Sequence, residues 1–488
     1  METPPLGTEE GAALTARGPT GRLVAGFLTL AAGLGCKPSG DSAVPPRPNV
    51  ILYVIDGAAA DRMSLYGYRR KTTPCLERLA AEGVVFEHAY SNSSFTKASV
   101  PSFMTSLHSS VLGGTQNAAD PIPPQAVPLA ERMRRAGYTT EVLTSNPYCG
   151  RLSGLDRGVD IVSETSPAGK RTSSVELSRR FWRLRESDPR EPYWAHIQTT
   201  DVHRPWTAWD RLGVFPAAAD GTELEDLLDR PLESPDKARA IELAGRLYDE
   251  CMTYQDRSLA RLVERLKKDE AWERTLLVIT ADHSHVAAGL PFYDPAAPPW
   301  DTPLLASHKS HIPLVFIWPG RIAPGRRLTE NVSLVDLAPT ILDLAGLPPP
   351  EVTQGRSLAP LLLGKRGWKP RPVVLDEFYT DGEHRWGSLE IIDGRWGASL
   401  RIDTRPEDRR PQRDRLRPSP LLIFDVEADP HALRSLHEER PDLARTYSRM
   451  LGRLWKGHLD LAKRFTRAGD VPMRPGEIEA LRSLGYIR

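Results

Sequence analysis

Residues 49–57 read NVILYVIDG. From Val50 to Ile55 the run is unbroken and apolar, and it stops at Asp56-Gly57. A strand with one wet face alternates; this one does not, so it is expected to be buried on both faces, as in a parallel sheet. A carboxylate at the end of such a strand lies just beyond the carboxyl edge of the sheet, where open α/β sheets hold their ligands. A single aspartate there most often caps a turn. The functional reading needs companions.

Further strands are expected at Val84-Val85-Phe86, Thr139 to Leu143, Tyr193 to Ile197, Leu276 to Thr280 and Ile312 to Trp318. Helical segments alternate with them. Thr73-Pro74 opens one that Gly83 ends, Leu129 to Arg135 and Val335 to Leu344 have helical spacing, and Lys237 to Lys268 is a long charged helix with an expected break near Cys251. Alternating strands and helices predict an α/β domain with a mostly parallel central sheet flanked by helices. After residue 347 the pattern changes to short strands (Leu389 to Ile392, Leu421 to Asp425), an Arg/Asp-rich exposed loop at Thr404 to Arg417, and a helix from Arg440 to Arg464. The expected division is a signal at 1–36, a linker at 37–48, a catalytic domain at 49–347 and a smaller C-terminal α+β subdomain at 348–488.

The 488 residues carry 64 Lys+Arg against 63 Asp+Glu, a net charge of +1. No basic excess exists to track phosphates, so no nucleic-acid partner is expected. The four cysteines form no C-x-x-C pair and are too scattered for a disulfide scaffold. At the N-terminus, Arg17 and Arg22 precede the apolar run Leu23 to Leu34, too short to span a bilayer and suited to an export signal. Leu34-Gly35-Cys36 is similar to the end of a bacterial lipobox, which would anchor the protein to a membrane through lipidated Cys36. A plain cleaved signal is the alternative. Either way the expected location is outside the cytoplasm, as a periplasmic, outer-membrane-anchored or secreted protein.

Three strand ends carry residues fit for metal or anion work: Asp56, then Asp201-x-His203, then Asp282-His283. Near them in sequence, residues 95–106 read FTKASVPSFMTS. If Pro101 is the first helical residue, Ser99 stands at the helix entry, facing unpaired N–H groups that would stabilise an anionic nucleophile. On that reading Thr96 lies further up the loop. The plain alternative is that Ser99 only caps the helix.

Several segments, in order, resemble the sulfatase family of the alkaline-phosphatase-like superfamily. They are Pro48 to Asp56, Tyr66-Gly-Tyr68 through Ser91, Ser99-Val-Pro-Ser102 (against the nucleophile motif C/S-x-P-S-R), Asp201-Val-His-Arg-Pro205, Ala281-Asp-His283, Val335 to Leu342 with Gly355 to Leu358, Phe424 to Pro430, and Leu481 to Ile487. The resemblance implies one divalent cation held by Asp56, Asp282 and His283. It implies Ser99 as the nucleophile, or as a precursor oxidised to formylglycine. His203 and Lys309 would act on the ester, with Asp201, His308 and His311 binding substrate; His308, Lys309 and His311 compete, and one of the three is expected to reach the site. The substrate would be a small-molecule or glycan sulfate or phosphate ester.

The chain also departs from the family. Phe103 stands where the motif arginine belongs, His108-Ser109 where Thr-Gly is usual, Gly57 for a second metal aspartate and Ala59 for an arginine. Loss of a carboxylate weakens a calcium shell and shifts the mixed O/N set toward Zn or Mn. That is closer to the superfamily's phosphodiesterases and phosphoethanolamine transferases, which use an unmodified hydroxyl. The readings are therefore a sulfatase, a metal-dependent phosphodiesterase or transferase, and an inactive binding paralogue.

Overall fold

A computed structural model of the protein describes residues 47–117, 119–164, 171–206, 237–284, 303–406 and 421–487. Cys36 with the expected signal, most of the linker, and parts of the loops at 284–307 and 404–417 lie outside these residues. Asn49–Ile55 is strand β1, buried at every position. β2 (Val84–Tyr90), β3 (Thr139–Thr144), β4 (Ile161–Ser163), β5 (Tyr193–Thr199), β6 (Thr275–Thr280), β7 (His311–Ile312), β8 (Leu314–Ile317) and β9 (Arg326–Ser333) complete a nine-stranded sheet. Its order is β4-β3-β5-β1-β6-β8-β2-β7, with β9 also on β2.

β1 runs parallel to β5 on one side and β6 on the other. Val54 pairs with Thr280. Two residues further along both strands, Asp56 and Asp282 therefore emerge side by side. Ile55 pairs with Thr199, so Asp201 and His203 leave the same edge. The register of three buried strands thus gathers three of the predicted motifs. The apolar side chains of β1, β5 and β6 stabilise it, each contributing roughly 1.5–3 kcal/mol when fully buried.

Two sequence expectations change here. Ile312 to Trp318 is two strands, interrupted at Pro313, which has no N–H for the ladder. β8 runs antiparallel to both β6 and β2, and β7 antiparallel to β2, so these two short strands are the reversed ones of a mostly parallel sheet. The charged helix spans Lys237–Leu266 without the expected break at Cys251.

The third change decides the site. The helix expected to begin at Pro101 spans Thr96–Thr105, with Pro101 in its interior. Ala98 and Ser99 N–H groups already bond to the Phe95 carbonyl, at 3.2 and 3.0 Å. Proline at the first turn is common, but it is tolerated deeper where the lost bond is offset by packing, and Pro101 is fully buried.

The second sheet is the antiparallel meander β10 (Val373–Thr380), β11 (Arg385–Asp393), β12 (Trp396–Asp403) and β13 (Leu421–Asp425). The helix Pro441–Ala462 covers it, packing Tyr447 and Leu451 on Phe378, Ile391 and Ile423. The chain then returns to the first sheet. After the helix Pro475–Ser483, Gly485 takes a left-handed conformation (φ +75°). The Tyr486 N–H closes the turn on the Leu481 carbonyl at 2.9 Å, the geometry of a helix C-cap. Leu481 packs with Tyr148, Leu152 and Ala119, which seats the C-terminal tail against the catalytic edge.

Candidate active site

Asp56, Asp282 and His283 converge, with one ligand atom from each lying within 4.8 Å of the others. All three are buried. His283 Nδ1 is 3.0 Å from the Ser284 carbonyl, which can only accept, so Nδ1 carries the proton and Nε2 faces the carboxylates. Nε2 stands 3.4 Å from Asp56 Oδ1 and 3.7 Å from Asp282 Oδ2.

The fourth member is Thr96. Its Oγ1 lies 3.3 Å from Asp56 Oδ1 and 3.3 Å from His283 Nε2. These separations are long for hydrogen bonds. They match neighbouring ligands of a single divalent ion, which sit about 2.0–2.4 Å from it and so roughly 3.3–3.5 Å from one another. A divalent cation fits the donor set: two carboxylate oxygens, an imidazole nitrogen that can give up its proton, and a hydroxyl.

The surrounding side chains orient this set. Asn146 Nδ2 donates to Asp56 Oδ2 at 2.8 Å. Asp282 Oδ1 accepts from the Gly57 and His283 amides at 3.2 and 2.9 Å, and Oδ2 accepts from Gln198 Nε2 at 3.1 Å. Burial and the charge of Asp56 push Asp282 up to about 6. Burial also works against the Asp56 anion, but His203 and His283 hold its carboxyl well below the usual range. Burial alone would lower His283; Asp282 and Asp56 outweigh it and raise His283 to about 9. Two carboxylates shared by one histidine leave excess negative charge in a dry place, which a cation would neutralise.

Ser99 is not part of this group. Its hydroxyl donates to the Asp282 main-chain carbonyl at 2.6 Å, on the next turn of the helix. The hydroxyl beside Asp56 and His283 is that of Thr96 and not that of Ser99, because the helix begins five residues earlier than Pro101 suggests. Shifting the C/S-x-P-S-R pattern by three residues puts Thr96 at its head, Ser99 on the motif serine, and Thr105-Ser106 where Thr-Gly is usual. Ser106 has φ +61°, a left-handed cap that favours glycine. The motif arginine then falls on buried Val100 rather than on Phe103.

The other predicted residues divide. His203 reaches the site. Its Nδ1 donates to the Arg204 carbonyl, and Nε2 is 3.2 Å from the Tyr486 hydroxyl. Burial pushes it down to about 4. Asp201 turns away and accepts the Ser174 amide at 3.0 Å, the start of the Ser174–Ser187 helix. The Lys309 and His308 carbonyls accept from Ser284 N–H at 3.1 Å and Ser284 Oγ at 2.8 Å, beside His283. The His308 ring faces His431, and His311 lies between Asp61 (2.8 Å) and the Glu87 carbonyl (2.8 Å). His308, His311 and His431 line a separate open cavity of about 1180 Å³ between the two sheets.

Sequence reasoning missed Asn146, Gln198 and Tyr486. Asn146 lies two residues beyond the end of β3, so the strand-end rule applied there would have found it. Tyr486 had no such signal. Its hydroxyl lies 3.0 Å from Thr96 Oγ1 and 3.3 Å from Asn146 Nδ2.

Comparison with known proteins agrees with this architecture. The family model described as Sulfatase matches residues 48–347. The arylsulfatase of Hemicentrotus pulcherrimus is 23% identical over 65% of this chain, which spans 62% of that protein. The N-acetylgalactosamine-6-sulfatase of Canis lupus familiaris is 25% identical, covering 72% of this chain and 71% of its own. Among solved structures, the phosphonate monoester hydrolase of Agrobacterium radiobacter shares the fold with a TM-score of 0.65 at 18% identity, over 84% of this chain and 96% of that one. With the match spanning well over half of its length, the chain belongs to the sulfatase family.

Proposed function

We propose that the protein hydrolyses a sulfate ester, with the unmodified hydroxyl of Thr96 as nucleophile and one divalent cation held by Asp56, Asp282 and His283. The observation that carries this is Thr96 Oγ1 at 3.3 Å from both Asp56 and His283. When bound, the cation lowers the hydroxyl's pKa and neutralises the oxygens of the anionic ester. The carboxylate-and-imidazole set favours Zn or Mn over Ca. Thr96 gives up its proton and Oγ1 bonds to sulfur as the ester S–O bond breaks; the departing oxygen leaves protonated, and water then cleaves the sulfothreonine and restores Thr96. Asn146, 3.3 Å from Thr96 Oγ1, is placed to donate to a non-bridging oxygen. His203 is placed to carry the proton that leaves with the alcohol.

A second reading is favoured by the same residue. Oxidation of a threonine gives a ketone and not an aldehyde, so formylglycine chemistry is not available at position 96. Ser99, whose side chain points at a carbonyl, is a poor place for it. A plain hydroxyl suits phosphate or phosphonate esters, and the same steps then run at phosphorus. The substrate class is a small-molecule or glycan ester, consistent with the amino-sugar sulfate named for one relative. Export, with Cys36 lipidated or the signal cleaved, belongs to the same reading and is checked by N-terminal analysis of protein from its host. For the activity, p-nitrophenyl sulfate, phosphate and bis-phosphate esters are assayed with Zn, Mn or Ca and with chelator. Metal-dependent release from the sulfate supports the first reading and release from the phosphates alone supports the second. No release from any of them defeats both.

A further inference from the structure

His203 Nε2 is bare at rest, because Nδ1 donates to the Arg204 carbonyl. A bare nitrogen cannot give a proton to a departing ester oxygen until it has received one. The Tyr486 hydroxyl lies within hydrogen-bond reach of Nε2 and also touches the nucleophile, 3.2 Å from Nε2 and 3.0 Å from Thr96 Oγ1.

The direction of these bonds follows from their donors. Nε2 accepts, so the Tyr486 O–H donates to it. The Tyr486 oxygen is then left with lone pairs, and it accepts from Asn146 Nδ2 at 3.3 Å and from the Thr96 hydroxyl. Thr96 O–H has Asp56 and His283 as other neighbours, at 3.3 Å or more, and those are the atoms a cation would occupy. The Tyr486 contact is the shortest that Thr96 Oγ1 makes in the site.

We infer that Tyr486 is a catalytic residue that passes the Thr96 proton to His203. The inference rests on the reading of Thr96 as nucleophile. In the step, the Thr96 O–H bond breaks and its proton moves to the Tyr486 oxygen. The proton already on Tyr486 moves to His203 Nε2. Thr96 Oγ1 forms its bond to sulfur or phosphorus, and the ester oxygen departs with the electron pair of the broken bond. Tyr486 stays neutral throughout, and the imidazolium at His203 supplies the proton that the departing oxygen takes. No oxidant or co-reactant is needed.

The tail is built to hold this group still. Arg151 Nε bonds Glu477 Oε1 at 3.0 Å, anchoring the last helix beside the site. The Tyr486 ring meets Tyr148 edge-on at 4.9 Å and tilts over the His203 ring at 5.3 Å. These contacts are made by the ring, so phenylalanine keeps them and loses only the hydroxyl.

The test is Tyr486→Phe in the full-length, metal-loaded protein, with stopped-flow release of p-nitrophenol from whichever ester the wild type turns over. The relay predicts a burst rate lower by about 10²-fold, with KM changed by less than about threefold. His203→Asn should give a similar loss, and the double variant should be little worse than either single one, because both remove the same wire. A merely structural tyrosine would shift the melting temperature without this split. A Tyr486→Phe burst equal to the wild type overturns the relay. A faster burst overturns it as well, and would show the tail to be a plug over a buried nucleophile. Thr96→Ala is run in parallel. Full activity there would defeat the nucleophile assignment itself, whereas an inactive Thr96→Ala beside an unimpaired Tyr486→Phe defeats only the relay.

Discussion

The protein buries two clusters of aspartate and histidine, and they are built to opposite ends. In one, Asp376 sits between His108 and His458. In the other, Asp56 and Asp282 share His283. All of these side chains are essentially inaccessible. Asp376 accepts the Ser109 and Ser110 amides at 3.0 and 2.9 Å, two unpaired N–H groups of the Ser109–Leu112 turn. Its histidines add contacts at 3.5 and 3.8 Å. A single carboxylate with a short amide bond to each oxygen needs no cation, and it ties the second sheet to the Ser109–Leu112 turn. Asp56 has a single good donor, Asn146, and its remaining neighbours stand off at 3.3–3.4 Å. The first carboxylate is satisfied by two short amide bonds, one to each oxygen. The second cluster leaves a space between like charges. Buried carboxylates with histidine are thus no signature of a site; the excess charge and the open spacing are.

The largest effect should come from Thr96. Thr96→Ala is expected to lower turnover by about three or more powers of ten if covalent catalysis operates, while Thr96→Ser keeps most of it. Neither should move the melting temperature by more than a few degrees. The corresponding deletion in the other cluster, Asp376→Asn, should cost about 2–3 kcal/mol of stability through its two amides. It should leave metal content and the activity of the folded fraction unchanged. A loss of bound metal in Asp376→Asn, measured by elemental analysis, would erase the distinction between the clusters.

Metal linkage sharpens the same contrast. Zn or Mn should stabilise the wild type by about 2.7 kcal/mol at a hundred times Kd, read as a higher melting temperature, and should do nothing for Asp282→Asn. The pH dependence follows from His283. Without a cation its pKa is raised to about 9, so at pH 7 Nε2 holds a proton that must leave before it can ligate. Binding should release about one proton at pH 7, and affinity should rise about tenfold per unit up to about pH 9, where the release ends. Below about pH 6 Asp282 also protonates, and the dependence steepens. Calorimetry in buffers of different ionisation enthalpy counts the protons. Release of none would mean that His283 is not a ligand.

The fold was largely legible because β1, β5 and β6 are buried on both faces and so carry no competing pattern. Asp56, Asp282 and His283 were legible because strand ends in register place them together. The place of Thr96 beside them was not. Pro101 is a common first residue of a helix, and nothing local reports that packing carries the helix on through it from Thr96. The sequence signal that could have settled the register is Thr105-Ser106, where the left-handed cap belongs to the motif's glycine. Tyr486 is separated from Thr96 by 390 residues, and only the docking of the last helix on Tyr148 and Leu152 joins them. Such a contact leaves no periodicity to read.

The smallest expected effect is the one that tests the register most directly. Ser99 Oγ donates to the Asp282 carbonyl at 2.6 Å, inside a fully buried helix. Ser99→Ala leaves that carbonyl without its donor, a penalty of about 1–3 kcal/mol of stability. Its effect on turnover should stay within about tenfold, since the carbonyl belongs to the segment that presents Asp282 but the hydroxyl touches no reacting atom. The same peptide, analysed by mass spectrometry in the wild type, should retain its full mass, without the roughly 2 Da loss and hydrazide-reactive aldehyde that conversion of a serine would give. An aldehyde at Ser99 together with an inactive Ser99→Ala would restore the nucleophile to the place that Pro101 first suggests. It would also require the Thr96–Thr105 helix to unwind by a turn before the enzyme could work.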